Sequence, residues 1–218
     1  MNILISGFEP FGGSPINPTE ELMEQIGQED LGEAFADVRL HTLLLPVRYD
    51  ECAAKLLAET RRLNPDAVIA CGLAAGRTAI TPERIAINVK DTESYADNEG
   101  RSPTDEPIRA DGPDGLLSTL PIRRIVQELQ AAGIPSAVSN TAGTYICNNT
   151  MYALLDDLRE SGSPSLAGFV HFPASTRLAA LKPSLPSLPQ ETLLEALRIV
   201  VRVTAEAVRG ADRTGDLR

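Results

Sequence analysis

Short apolar runs that close on Gly or Pro alternate along this chain with longer stretches whose apolar residues recur at three- and four-residue spacing. The short runs cover residues 2–6 (ending at Gly7), 38–45 (closing into Leu45-Pro46-Val47), 67–71 (ending at Gly72) and 166–172 (ending at Pro173). Such runs predict strands, and the uninterrupted apolar ones predict strands buried on both faces of a sheet. Further strands are expected at 85–89 and, just before a turn, at 137–139.

The longer stretches predict helices. Asn17-Pro18-Thr19 is a start signal, with Thr19 as the expected N-cap of a helix over 20–26. Residues 49–63 carry Ala53, Leu56, Leu57 and Thr60 along one side. Residues 121–132 carry Ile122, Ile125, Val126 and Leu129, with Gly133 as the stop. Residues 151–158 are amphipathic. The last helix, 191–208, aligns Leu193, Leu197, Val200, Val201, Thr204 and Val208, and Ser187 with Gln190 forms a capping box before it. It is expected to be scaffold or part of a subunit interface. Strands and helices alternating over short connections imply an α/β sandwich around a largely parallel sheet. Residues 91–112, polar and rich in Pro, Gly and Asp, are a long surface loop or a lid, and 210–218 a frayed tail.

Composition narrows the class. With 218 residues and 43% hydrophobic content, the chain is expected to form one domain over 1–218. A formal net charge of -10 argues against nucleic acid or an anionic membrane as partner and favours a soluble cytoplasmic protein. No apolar run approaches the ~18 residues of a membrane span, and the N-terminus lacks a signal-peptide pattern. Three scattered cysteines, Cys52, Cys71 and Cys147, support neither a disulfide framework nor a zinc site.

Candidate chemistry centres on NTAGTYICNNTM, residues 140–151. Ala142-Gly143-Thr144 turns the chain into a helix and leaves Cys147 near its N-terminus. Unpaired N–H groups and the helix dipole there favour a thiolate, the nucleophilic form. A small buried core thiol is the plain alternative. A thiol nucleophile needs a base, and the chain has two histidines. His171 lies near a strand end; His41, inside a strand, is more simply structural. In open α/β sheets ligands sit at the carboxyl ends of strands. Those ends bring Phe8 and Phe11 of GFEPFGG, Val47, Leu73 and the loop before Cys147 to one rim. Glu83 is the carboxylate suited to orient an imidazole, though its spacing equally fits an exposed glutamate paired with Arg77 or Arg84. No G-x-G-x-x-G or G-K-[ST] supports a nucleotide site.

GFEPFGG with Asn17-Pro18, then GLAAGRTAITPERIAIN, SNTAGTYICNN and FVHFP, in this order from Gly7 to Pro173, resemble the pyroglutamyl peptidases, or pyrrolidone carboxyl peptidases, of the soluble cysteine-peptidase type. The resemblance implies a three-layer α/β/α sandwich with a mixed sheet and the triad Glu83, Cys147 and His171. It implies Val47, Tyr145 and Ile146 closing the pocket over Phe8 and Phe11, with backbone near Leu73 accepting a lactam N–H. The implied activity is removal of an N-terminal pyroglutamyl residue from peptides, without metal or organic cofactor, in a cytoplasmic homo-oligomer (dimer or tetramer). The chain departs from the family after residue 90. An arginine usual in that run is missing, the loop is one residue longer, and Tyr95 substitutes for the usual apolar contact. Two other readings stay open: a nucleoside phosphorylase, which needs a basic phosphate site, and a catalytically silent binding or scaffold protein.

Overall fold

A computed structural model describes residues 1–28, 32–92 and 96–213, with side chains described as far as Gly210. Its elements run β1 (Asn2–Phe8), α1 (Pro18–Ile26), β2 (Arg39–Leu45), α2 (Tyr49–Leu63), β3 (Ala67–Leu73), β4 (Thr81–Pro82), β5 (Ile85–Ile87) and β6 (Gly115–Leu117). Then follow α3 (Ile122–Ala131), α4 (Ile146–Ser161), β7 (Leu166–Phe172), β8 (Ala174–Ser175), α5 (Thr176–Leu181), β9 (Ser187–Leu188) and α6 (Gln190–Arg213).

The main sheet has the order β2-β1-β3-β7-β4, parallel except for β4, which pairs antiparallel with β7. Because successive strand residues point to opposite faces, each central strand feeds two cores. Ile3, Ile5, Ile69, Cys71, Val170 and Phe172 face α1, α3 and α6. Leu4, Val68, Ala70 and Phe169 face α2 and α4. The result is the expected α/β/α sandwich with a mixed, mostly parallel sheet. Ile3, Leu4, Ile5 and Ile69 are fully buried, each contributing about 2 kcal/mol through burial. The parallel register aligns Phe8 with Leu45 and Leu73 with Phe172, so four strand ends open on one edge.

Several local expectations are corrected. Asn17, not Thr19, caps α1: its Oδ1 accepts the Thr19 N–H (3.1 Å), and Pro18 opens the helix where no N–H is needed. Thr19 instead accepts the Phe8 N–H through its hydroxyl (3.0 Å) and ties the end of β1 to α1. On α2 the buried face is Tyr49, Cys52, Leu56 and Thr60, with Ala53 and Leu57 at its margin. β5 leaves the main sheet to pair with β6. Residues 137–139 form no strand; single bridges join Ile80 to Ser136 and Glu83 to Ser139. Pro82, opposite this stretch, has no N–H to give the ladder, while its carbonyl accepts the Ser139 N–H (3.0 Å). Ser187 belongs to β9, paired with Ala174, rather than to a capping box. α6 continues to Arg213, through the start of the expected tail. Residues 214–218 of that tail and Tyr95 lie outside the described residues.

Candidate active site

The site lies at the open edge of the sheet, where the face carrying α2 and α4 meets the ends of β1, β3 and β7. Period two decides which groups reach it. His171 falls on the same face of β7 as Phe169, and their rings lie 4.8 Å apart at 50°. Phe172, one residue on, belongs to the opposite core, and so does Cys71. His41, on β2, contacts Asn2 Oδ1 (3.2 Å).

Cys147 is the second residue of α4 and is half-buried. The N-cap Tyr145 gives no side-chain acceptor, so the N–H groups of the first turn point toward the cavity edge uncapped. The following asparagines lock this helix start in place. Asn148 Oδ1 accepts the Ile87 N–H (2.9 Å), and its Nδ2 donates to the carbonyls of Ile87 (2.8 Å) and Val89 (2.9 Å). Asn149 Nδ2 donates to the Tyr49 carbonyl (2.9 Å).

Glu83, between β4 and β5, is fully buried. Its N–H donates to the Phe169 carbonyl (2.8 Å), which fastens it beside β7. Its Oε1 lies 2.7 Å from His171 Nδ1 and 2.6 Å from Arg77 Nη1. Burial pushes the Glu83 carboxyl up, but His171, Ser139 and Arg77 together pull it below the usual glutamate value. An ionised carboxylate can only accept, so Nδ1 carries the proton and Nε2 of the neutral ring is left basic. Burial also holds the His171 pKa below its ordinary value, against the pull of Glu83. Arg84, the other pairing considered for Glu83, bonds Asn140 Oδ1 instead (2.7 Å).

The expected thiolate is not what this environment favours. Burial in the apolar wall pushes Cys147 up to about 12, with Cys52 and Glu83 adding to the shift and Arg77 opposing it. A backbone hydrogen bond at Cys147 also acts against the rise but is outweighed. At neutral pH the resting groups are therefore a thiol and a neutral imidazole.

Cys147 and His171 line one cavity of about 320 Å³. The residues expected around it are all in its walls: Phe8, Phe11, Val47, Leu73, Tyr145 and Ile146. Phe11 packs against Tyr145 (6.3 Å), and Tyr49 braces the same ring edge-on (5.6 Å). Glu83 stands behind His171, outside the wall. Sequence reasoning missed six neighbours. Asn17 was read only as a helix signal and Arg77 only as a partner for Glu83, Ala142 and Gly143 were read only as a turn, and Ala74 and Ala75 only as loop; all six line the cavity. The available signal was position: Ala74, Ala75 and Arg77 follow the end of β3, Asn17 precedes α1, and Ala142 and Gly143 precede the helix that carries Cys147. Residues 96–98 are anchored beside the cavity: the Asn98 N–H donates to the Val47 carbonyl (2.9 Å), and the Tyr145 hydroxyl to the Ala96 carbonyl (3.2 Å).

A sulfur and an imidazole thus share the wall of an apolar slot, with a carboxylate behind the imidazole. The family model described as pyroglutamyl peptidase matches residues 1–207. This chain belongs to the pyroglutamyl peptidase family. Pyrrolidone-carboxylate peptidase of Halalkalibacterium halodurans is 44% identical over 200 residues, 91% of this chain and 96% of that relative. The Thermococcus onnurineus protein of the same name is 44% identical over 207 residues, 95% and 100% of the two chains. Among solved structures, a mutant pyrrolidone carboxyl peptidase from Pyrococcus furiosus superposes with a TM-score of 0.89 at 37% identity, covering 95% of this chain and 99% of that one. Pyroglutamyl peptidase I from Bacillus amyloliquefaciens gives 0.87 at 36%, with 94% of each chain covered. Among the described residues, no helix of this family member is long and apolar enough to cross a membrane.

Proposed function

We propose that this chain hydrolyses the bond after an N-terminal pyroglutamyl residue of peptides through a thioester on Cys147, with His171 as acid and base and Glu83 orienting it. The observation that carries this reading is the composition of the cavity wall. The lactam is flat, neutral and without an α-ammonium group, and among the described residues no Asp or Glu lines the cavity. An ordinary aminopeptidase would need such an anchor for its substrate's ammonium, and Arg77, the one charged side chain among the described residues of this wall, would repel it. A volume of about 320 Å³ suits a small ring.

The neutral resting pair sets the order of proton movements. His171 Nε2 takes the Cys147 proton as sulfur attacks the pyroglutamyl carbonyl, and Glu83 stabilises the imidazolium that forms. First-turn N–H groups of α4 hold the developing oxyanion. His171 returns the proton to the leaving nitrogen, the C–N bond breaks, and a thioester remains. Water then adds with His171 as base, the C–S bond breaks, and the proton returns to sulfur.

We further propose a homo-oligomeric working form, two or four copies, acting in the cytoplasm; light scattering checks the subunit number. The activity is tested with a pyroglutamyl-coumarin substrate. Fluorophore release is expected in the wild type, with loss on iodoacetamide treatment and in Cys147→Ser. Full turnover by Cys147→Ser would overturn the thiol mechanism. Phosphate-dependent cleavage of inosine without peptide hydrolysis would overturn the peptidase reading itself.

A further inference from the structure

Arg77 has no part in the steps above, yet it lines the cavity and is bonded to Glu83. It sits in the loop between β3 and β4, its N–H donating to the Ala74 carbonyl (2.9 Å). Its guanidinium Nη1 donates to Thr81 Oγ1 (2.5 Å) and Glu83 Oε1 (2.6 Å), and its Nη2 to the Thr141 carbonyl (3.0 Å). The side chain is 30% exposed and forms part of the cavity wall, whereas the Glu83 side chain is fully buried.

A buried carboxylate without a compensating positive charge takes up a proton. Neutral His171 offers Glu83 a hydrogen bond but no charge. Among the described residues, Arg77 supplies the permanent cation paired with it. The Nη2 bond reaches in another direction, to the loop that leads through Ala142 and Gly143 to Cys147. One planar fork therefore spans the acid and the approach to the nucleophile, a geometry that a lysine ammonium does not reproduce.

We propose that Arg77 is a positioning residue for the hydrolysis, gripping the Glu83 carboxylate where it faces His171 and, through Thr141, setting the loop that walls the cavity beside Cys147. The inference rests on the proposed hydrolysis.

The charge of Arg77 also predicts a pH signature. The groups that titrate or carry charge around the His171 ring and the Cys147 sulfur are Glu83, Arg77, Cys52 on α2, and Tyr145. Arg77 lowers the pKa of Glu83 and of His171. Its removal raises both. Turnover needs Glu83 ionised and His171 neutral, so the acid limb of the kcat profile moves to higher pH.

The test is steady-state hydrolysis of pyroglutamyl-coumarin across pH by the wild type, Arg77→Ala and Arg77→Lys, with a thermal melt of each. Arg77→Ala is expected to lose about 10- to 100-fold in kcat, the factor carried by a charge-assisted hydrogen bond. KM should change far less, and the acid limb should rise. Millimolar guanidinium, against sodium chloride of equal ionic strength, should restore part of the lost kcat. Arg77→Lys keeps the charge and should keep the acid limb near its wild-type position, with a partial loss of kcat from the missing Thr141 bond. A folded Arg77→Ala with wild-type kcat and acid limb would overturn the proposal. So would a loss of kcat with an unmoved limb and no response to guanidinium. If Arg77→Ala does not fold, Arg77→Lys decides: wild-type kcat overturns the loop-setting role, and an acid limb displaced upward overturns the charge role. Absence of fluorophore release from the wild type would instead overturn the hydrolysis on which the inference rests.

Discussion

The three cysteines show how environment separates one side-chain type into different tasks. Cys71 faces the core under α6, fully buried, with its sulfur 4.0 Å from the Ile69 carbonyl. Cys71→Ser puts a poorly satisfied hydroxyl there and should cost about 1–3 kcal/mol of stability while leaving turnover of the folded fraction intact. Cys52 already makes hydroxyl-like bonds: its thiol donates to the Tyr49 carbonyl (3.4 Å) and accepts from Thr150 Oγ1 (3.3 Å). Cys52→Ser keeps these partners and should lose less. Urea unfolding together with active-site titration separates the two effects from that of Cys147→Ser. Gly72 marks the closest approach in the site. A Cβ there would lie 2.7 Å from Phe169 Cζ and 3.1 Å from Cys147 Sγ. Phe169 is fully buried and has no room to retreat. Gly72→Ala should therefore lower stability by about 1–3 kcal/mol and reduce kcat as the sulfur is displaced; a wild-type kcat would contradict this packing.

Among the elements, α4 has to be both rigid and correctly placed, because its first turn carries the proposed nucleophile and oxyanion donors. The anchor is Asn148, whose side chain satisfies the Ile87 N–H and two carbonyls of the segment after Glu83. Asn148→Ala leaves these backbone groups unpaired at the buried junction. It should cost about 2–4 kcal/mol in urea unfolding, and kcat should fall even in the folded enzyme. β4 and β5 show a similar division of labour. β4 pairs with β7 to bring Glu83 beside His171, and β5 then turns out of the sheet to meet β6 and Asn148. Helix α6 packs Leu193, Leu197, Val200, Val201 and Thr204 fully into the core, which assigns this side of it to scaffold.

For the whole molecule, the shifted groups predict a stability maximum bounded on both sides. Glu83 and His171 have folded-state pKa values below their ordinary ones, as does Asp156, where bonds from Arg109 and Arg159 outweigh the effect of burial. The folded state then binds fewer protons than the unfolded state in the acid range, so stability is fully present above the ordinary values and is lost as pH falls through the folded ones. Cysteines act in the opposite sense. Burial raises Cys52 to about 11 and Cys147 to about 12, and raises Cys71 as well. Above the ordinary cysteine value the unfolded chain ionises first, and stability declines as pH rises toward the folded values. Thermal melts across pH should trace this dome. Cys52→Ser with Cys71→Ser should flatten its alkaline side; an unchanged alkaline slope would show that these thiols do not set it.

By itself, the sequence determined the long secondary elements and the order in which site groups appear, but not the short β4, β6, β8, α5 and β9. Periods of two and 3.6 residues, turn glycines and the Asn17-Pro18 start all act within a few positions, so β1, β3, β7 and α2 were legible almost residue by residue. Motif order likewise marked Glu83, Cys147 and His171 and the apolar wall around Phe8 and Phe11. Only the tertiary structure decided that residues 137–139 bridge without forming a strand and that β5 leaves the sheet. It also decided that Arg77 bonds Glu83, and that burial raises the Cys147 thiol. Each of these depends on groups distant in sequence, such as Glu83 and His171, 88 positions apart yet 2.7 Å from contact atom to contact atom. Pairing, desolvation and charge at such distances are set when the sheet closes, and no local pattern encodes them.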